Sequence, residues 1–532
     1  MSRMGRVAQG LTLLVLPVVL AVVALRLDRD RGPWWLGSNS DPSYQYLLNS
    51  LLVRLGHPPC HVDHPGTPLQ SLGAAVLQAT TPGREGEVQM RAVLADPEAA
   101  LARIHRTLLA GAVVALALAG GLVWARSGSW WLALGVQLTP LLQVGTYRST
   151  LWVDPEALLV PLAVLLVALL VMGELGPEGA EAPRRDRWLA PVLGLVAGVG
   201  LATKITFAPL CLLALLTRRT WREAGWTLGA MGAGTAGALA PAFSEVPRML
   251  RWFERLATHT GTYGTGAEGF VDPTRYLSGI GSMVLADRVL LVLAVVAVVV
   301  GGAGGRWWGG EVVRARHRRL LLLTAGVQIL GVLLVAKHPH PRYLVPVAIS
   351  AAFNAVLLAD LVRRVGPRPG GRWIRRGVLG LGLVGTILVW SDGRELAQEL
   401  RGLRDRQLSF VREVDDLAAR GRHVDYYRSS SVAFALHFGN GTAWRLFAEP
   451  LAELHPGRLF FNRFTGRFET FAGPVPFDQV AGNAPLFLVG TGGIESPVPG
   501  GIGLPPPGWS LIAVRRSGEM TLHRLGPEKR PP

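Results

Sequence analysis

Apolar residues in this chain gather into separate blocks of roughly 16 to 22 residues divided by polar stretches, a pattern that predicts membrane-crossing helices. Eleven blocks can be read, at about 8–27, 104–125, 130–146, 155–173, 188–203, 205–217, 224–242, 286–302, 319–336, 343–362 and 376–391, the sixth being the shortest. The first follows Arg3 and Arg6 as a signal peptide would. Arg26-Leu27-Asp28-Arg29 offers no small-residue cleavage site, however, so the block reads as an anchor helix.

The long polar segments carry patterns of their own. In the stretch 28–103, Asp41-Pro42 reads as a helix cap with proline in the first turn, followed by apolar residues at helical spacing up to Arg54. A turn at Asp63-His64-Pro65-Gly66 precedes a second amphipathic run from Thr67 to Leu77, and both helices are expected to lie along the membrane surface. Segment 243–285 is a second long connection, while 174–187 and 301–310 read as short linkers. After 392 the tail opens with a charged amphipathic helix at 395–420. It continues in short apolar runs such as His423–Tyr427 and Pro485–Val489, separated by Gly and Pro, as in a small α/β domain. The fold class expected is therefore an all-α polytopic membrane domain of about eleven helices over 1–392, followed by a small α/β extracytoplasmic domain at 393–532.

Composition agrees with this and adds an orientation. Of 532 residues 49% are hydrophobic and only 17% charged, too few for a soluble globular chain, whose usage is about 25%. The formal charge is +17, and the arginines concentrate in the connections that lie inside if the N-terminus is cytoplasmic. Eleven spans then put 28–103, 243–285 and the C-terminal domain on the outer side, which for a multi-pass protein of a bacterial inner membrane is the periplasm. The basic balance reports topology and attraction to anionic lipid, and no nucleic-acid partner is expected. Cys60 lies in the first loop and Cys211 in a span, so no disulfide is expected between the two cysteines.

Candidate chemistry lies where ionisable residues meet outer helix ends, because charge there is costly. Asp41, near Tyr44, and His64 in its tight turn could bring a carboxylate and an imidazole together, or could be no more than a cap and a turn. Asp154-Pro155, after Tyr147 and Arg148, could likewise cap the fourth span or orient a hydroxyl or phosphate. Lysine usage is the least ordinary feature. Against 51 arginines the chain has only Lys204, Lys337 and Lys529, two of them at outer helix ends, where a point charge suits a phosphate and where snorkelling is the plainer explanation. Arg342, in His338-Pro339-His340-Pro341-Arg342-Tyr343, adds a fork suited to the same group. The run from His259 through Tyr263 to Gly269 is glycine-dense, as in a lid over substrate or an ordinary flexible connection. His57, Cys60, His61 and His64 crowd together without matching a zinc signature. No cofactor can be named beyond an unassigned divalent metal.

Taken in order, an outer-loop Asp41 with nearby Tyr44, the His64-Pro65 turn, Thr203-Lys204 at a later helix end and Arg342-Tyr343 opening a late span resemble the GT-C glycosyltransferases. The type is that of the protein O-mannosyltransferases and aminoarabinose transferases. The resemblance covers roughly 1–392, with Asp41-Pro42 where the family usually has Asp-Glu. It implies a membrane enzyme that takes a sugar from a polyprenyl-phosphate carrier and passes it, with inversion, to a lipid, glycan or protein acceptor at the periplasmic face. In that frame Asp41 is the base, and Lys204 and Arg342, with Lys337 and Arg148 as further cations, hold the donor phosphate. Asp154 and His64 orient, and His259 and Tyr263 belong to the lid. A secondary transporter would instead keep its charges near the midplane on broken helices, and a non-catalytic envelope-glycan assembly protein would not need Asp41. The topology is directly testable: a reporter fused after Ser391 should be active only outside, and cytoplasmic activity there would mean that a span was miscounted.

Overall fold

The computed structural model describes all residues except 1–2, 64, 81–84, 175–187, 304–310, 366–368, 419–421, 463–464, 482–485, 492–507 and 528–532. Two compact units emerge. The first comprises 1–26, 62–69 and 105–395, and the second 27–61, 70–104 and 396–532.

In the first unit the apolar blocks are helical, as their composition dictates. Among the described residues five helices are long and apolar enough to cross a membrane: Val7–Arg31, Pro97–Ser127, Pro155–Glu174, Ala315–Val335 and Pro341–Arg363. Pro273–Ala286 and Arg288–Gly302 form a pair bent by 93°, and Leu189–Thr203 and Ile205–Leu216 are shorter apolar helices. The protein is thus a multi-pass membrane protein. The linkers expected at 174–187 and 301–310 fall largely outside the described residues. Leu189–Thr203 packs along Trp221–Leu239, and glycine makes the closeness possible. A Cβ on Gly194 would stand 2.2 Å from the Thr227 carbonyl oxygen, and one on Gly198 would stand 2.2 Å from that of Met231. Small residues four apart let two backbones approach where lipid supplies no hydrophobic drive.

The second unit is built on a seven-stranded sheet of order β4-β3-β2-β1-β5-β7-β6. Its strands are β1 (Arg422–Tyr426), β2 (Leu459–Asn462), β3 (Arg467–Thr470), β4 (Gly473–Val475), β5 (Leu486–Thr491), β6 (Trp509–Ser517) and β7 (Met520–Pro527). β1 runs parallel to both β2 and β5, and the other pairings are antiparallel. Alternation along β5 supplies two cores: Leu486 and Leu488 join Val424, Tyr426 and Phe461 on one face, while Phe487 and Val489 meet Phe410 and Val414 on the other.

Phe410 and Val414 belong to a single helix, Pro369–Ala418, so the last apolar block and the amphipathic helix expected after it are continuous. Ser391-Asp392-Gly393 was the expected boundary, yet one glycine costs a helix only about 1 kcal/mol, too little to stop it. The first loop also differs from expectation. The helix Ser40–Arg54 does not lie along a surface: Tyr44, Tyr46, Leu47, Leu48, Leu51 and Leu52 are all fully buried, and it packs against Val432–Gly441 of the α/β domain. Asn49 fastens it, donating to Thr442 O (2.8 Å) and accepting from the backbone of Cys60 (2.7 Å) and His61 (2.8 Å). The helix contact between Leu189–Thr203 and Trp221–Leu239 predicts that Gly198→Val destabilises the protein by about 2 kcal/mol or more in a thermal melt. Gly232→Ala, where nothing lies within 4 Å, should be neutral or better.

Candidate functional site

The first unit carries a cluster of charges whose position follows from a break in a helix. Leu189–Thr203 ends at Lys204, whose backbone is extended (φ −163°, ψ 140°), and a 3-10 turn restarts the chain at Ile205. A helix end leaves carbonyls without partners. That of Thr203 accepts from Gly66 N (3.1 Å), and Lys204 forms an isolated bridge with Pro65. Gly66 has φ +73°, open to glycine at little cost, so the turn after position 64 is pinned to the break. His64 itself lies outside the described residues.

Lys204 is 4% exposed and its ammonium lies 2.5 Å from Glu156 Oε1, itself 1% exposed. The same ammonium sits 4.1 Å above the ring of Tyr343. Arg342 approaches the same carboxylate, with Nε at 3.9 Å, and this Nε has no hydrogen-bond partner among the described residues. Asp154 lies beside Glu156 at the start of Pro155–Glu174. Its Oδ1 accepts from Ala157 N (2.9 Å), so the cap and the site are one residue. Burial pushes the Asp154 carboxyl up to about 7, with Glu156 adding to the shift and Arg342 and Lys204 opposing it. Burial, reinforced by Arg342, presses His340 down to about 4, so it is neutral at physiological pH. Arg148, on the short helix Val144–Ser149, acts on His340 in the same sense and so faces the cluster.

Residues 246–269 approach this cluster. Lys337 donates to the carbonyl of Leu256 and to that of Ala257 (3.3 Å), which end the helix Val246–Thr258, and stands 5.1 Å from the Phe270 ring centre. Beyond it the chain folds back, with Thr260 N on Ala267 O (3.0 Å), Gly261 N on Thr265 O (2.7 Å) and His259 bridged to Glu268. At the tip Tyr263, with φ +55°, stacks on His338 and reaches Tyr343 Oη at 3.3 Å. His259 is bonded to its own neighbour Thr258 (3.1 Å).

Asp154, Lys204, Arg342, Arg148 and Tyr263 are therefore brought together in one unit. Glu156 was not singled out from sequence, though an acid on the second residue of an apolar span is signal enough. Asp41 belongs to the second unit. Its backbone is extended (φ −104°, ψ 115°) where the helix Ser40–Arg54 kinks, and its Oδ2 accepts from Arg428 Nη2 at 3.0 Å. Among the residues considered for a metal, His61 packs edge-on to Tyr46 (5.3 Å) and His57 is exposed. No group of three His, Cys, Asp or Glu able to hold a metal occurs among the described residues.

The fold is that of a polytopic helical membrane protein with a small sheet-containing domain. No family model and no curated protein matches the chain in sequence. Among solved structures it is similar to ArnT from Cupriavidus metallidurans bound to undecaprenyl phosphate, at 12% identity over 98% of each chain with a TM-score of 0.49. The apo state of that protein aligns at 14% identity over 96% of this chain and 97% of the other, with a TM-score of 0.45. The oligosaccharyltransferase of Archaeoglobus fulgidus, tethered with an acceptor peptide, aligns at 14% identity over 72% of this chain and 55% of its own, with a TM-score of 0.36.

The raised Asp154 carboxyl carries a stability signature. An acid whose folded value lies above its ordinary 3.8 favours the folded state at low pH and loses that contribution as pH rises from about 4 to about 7. Asp154→Asn keeps the cap and removes the titration. The variant should therefore gain melting temperature relative to wild type across that window and track it above pH 7; parallel curves throughout would show that Asp154 titrates in its ordinary range.

Proposed function

We propose that the protein is a membrane glycosyltransferase that uses a polyprenyl-phosphate-linked sugar and transfers it at the periplasmic face to a lipid, glycan or protein acceptor. The observation that carries the reading is the convergence of Lys204, Arg342, Glu156 and Asp154 at helix ends, with one guanidinium nitrogen unengaged among the described residues. In the proposed transfer the acceptor oxygen bonds to the anomeric carbon and its proton passes to the Asp41 carboxylate. The bond from that carbon to the phosphate oxygen breaks, and the electron pair leaves with the polyprenyl phosphate.

Charge thus grows on the departing phosphate, and preorganised cations stabilise such charge best where water is excluded. Arg342 is the direct contact in this reading, since part of its guanidinium is unengaged. Lys204 offsets Glu156 and holds the local balance positive, and Arg148 and Lys337 are the further cations. Asp154 and His64 orient the sugar, and the turn bearing His259 and Tyr263 closes over it. The ordering of ArnT with undecaprenyl phosphate in its solved structure concerns that protein, and the donor proposed here rests on the cation cluster instead.

The test is turnover by the full-length protein in nanodiscs, given a panel of polyprenyl-phosphate-linked mannose, glucose and arabinose and read as free polyprenyl phosphate. Asp41→Asn should lower kcat by about 10² to 10⁴ while the protein stays folded. Arg342→Ala should raise the donor KM by roughly tenfold or more, through loss of a charge-assisted contact. Wild type silent with every donor sinks the enzyme reading, and full activity of Asp41→Asn moves the base elsewhere.

A further inference from the structure

In the second unit, the chain leaves the carboxyl end of β1 at Tyr427 and enters the helix Val432–Gly441 through Arg428-Ser429-Ser430-Ser431. β1 is flanked on both sides by parallel strands reached in opposite directions, so this loop sits where an α/β sheet opens the crevice that ligands use. The loop is rigid. Ser429 N donates to Tyr426 O (2.9 Å), the Ser431 hydroxyl caps the helix by accepting from Phe434 N (3.0 Å), and the Ser429 hydroxyl donates to the fully buried Asp425.

Two contacts tie this loop to the segment that carries Asp41. Gly37 N donates to Ser430 Oγ at 3.0 Å, and Arg428 Nη2 donates to Asp41 Oδ2 at 3.0 Å. Arg428 holds φ +54°, a backbone state uncommon for any residue but glycine, which adopts it freely. The two side chains are 35% and 30% exposed, open enough for a substrate to reach. Arg428 engages Oδ2 of the carboxylate.

We propose that Arg428, supplied by the C-terminal domain, is the positioning residue for the Asp41 carboxylate, an inference that rests on the reading of Asp41 as the base. A carboxylate held by one oxygen keeps its other lone pairs aimed at an incoming hydroxyl. A guanidinium suits the task because it stays charged and cannot carry the proton away itself.

Arg428→Gly separates charge from strain, because glycine accepts the left-handed backbone. In the nanodisc assay with the same donor panel, this variant should melt at the wild-type temperature yet lose roughly 10- to 100-fold in kcat, with the donor KM changed by less than about threefold. Guanidinium ions added to the assay should recover part of the loss, and Arg428→Lys should fall between the two. Wild-type kcat in Arg428→Gly, or a loss that neither guanidinium nor lysine restores, overturns the proposal. Should Arg428→Gly fail to fold, Arg428→Lys decides by the same intermediate kcat. If Asp41→Asn collapses while Arg428→Gly runs at full rate, only the positioning role is lost. If Asp41→Asn runs at full rate, or wild type is silent, the base reading fails and this inference with it.

Discussion

A helix interrupted among apolar neighbours exposes backbone groups and charge that only protein can satisfy, and the interruption at Lys204 is where this chain meets that constraint. Thr203 loses its helical continuation, and Gly66 supplies the missing donor. Lys204 is carried away from bulk water, and Glu156 supplies the missing charge at 2.5 Å. Each solution dictates something further: the turn at 65–66 must return to this point, the span Pro155–Glu174 must begin with an acid, and Tyr343 must present its face to the ammonium. Buried ion pairs of this kind add little net stability, since desolvation offsets the attraction. Their worth here is electrostatic. Two acids beside three cations leave a field that favours an anion, while burial and the neighbouring Glu156 push the Asp154 carboxyl up to about 7 against that field.

The second unit solves a different problem by different means. Its core is an ordinary alternating sheet, and what it adds is placement. The helix Ser40–Arg54 packs against Val432–Gly441 of the α/β domain, with Asn49 bonded to four backbone groups. Glu98 accepts from both Tyr44 Oη and Trp34 N at 2.9 Å. These contacts join stretches of chain nearly 400 residues apart within one unit and fix the surroundings of Asp41.

Much of this was legible in the residues. Apolar blocks became helices because backbone hydrogen bonding in lipid allows little else, and the strands expected at 423–427 and 485–489 formed at Arg422–Tyr426 and Leu486–Thr491 because alternation has no other stable outlet at that length. The scarcity of lysine led to Lys204, and Asp-Pro marked Asp154. Three things were not legible. Glu156 was passed over because its neighbour Asp154, before a proline, drew the eye as a helix cap, although an acid on the second residue of an apolar span is a signal. The junction at Ser391-Asp392-Gly393 looked like a boundary because local signals do not sum the propensity of the 50-residue helix around it. Arg428 resembled any arginine of a basic tail.

The amino-acid sequence by itself determined the periodicities: which apolar stretches are helical, which short runs are strands, and which charges lie at element ends. Those are local properties, set by side-chain spacing within a dozen residues. Only the tertiary structure decided the partners: Lys204 with Glu156, Gly66 with Thr203, and Asp41 with an arginine 387 positions away. Such pairs depend on how rigid elements pack, and packing is a property of the whole folded chain that no window of sequence contains.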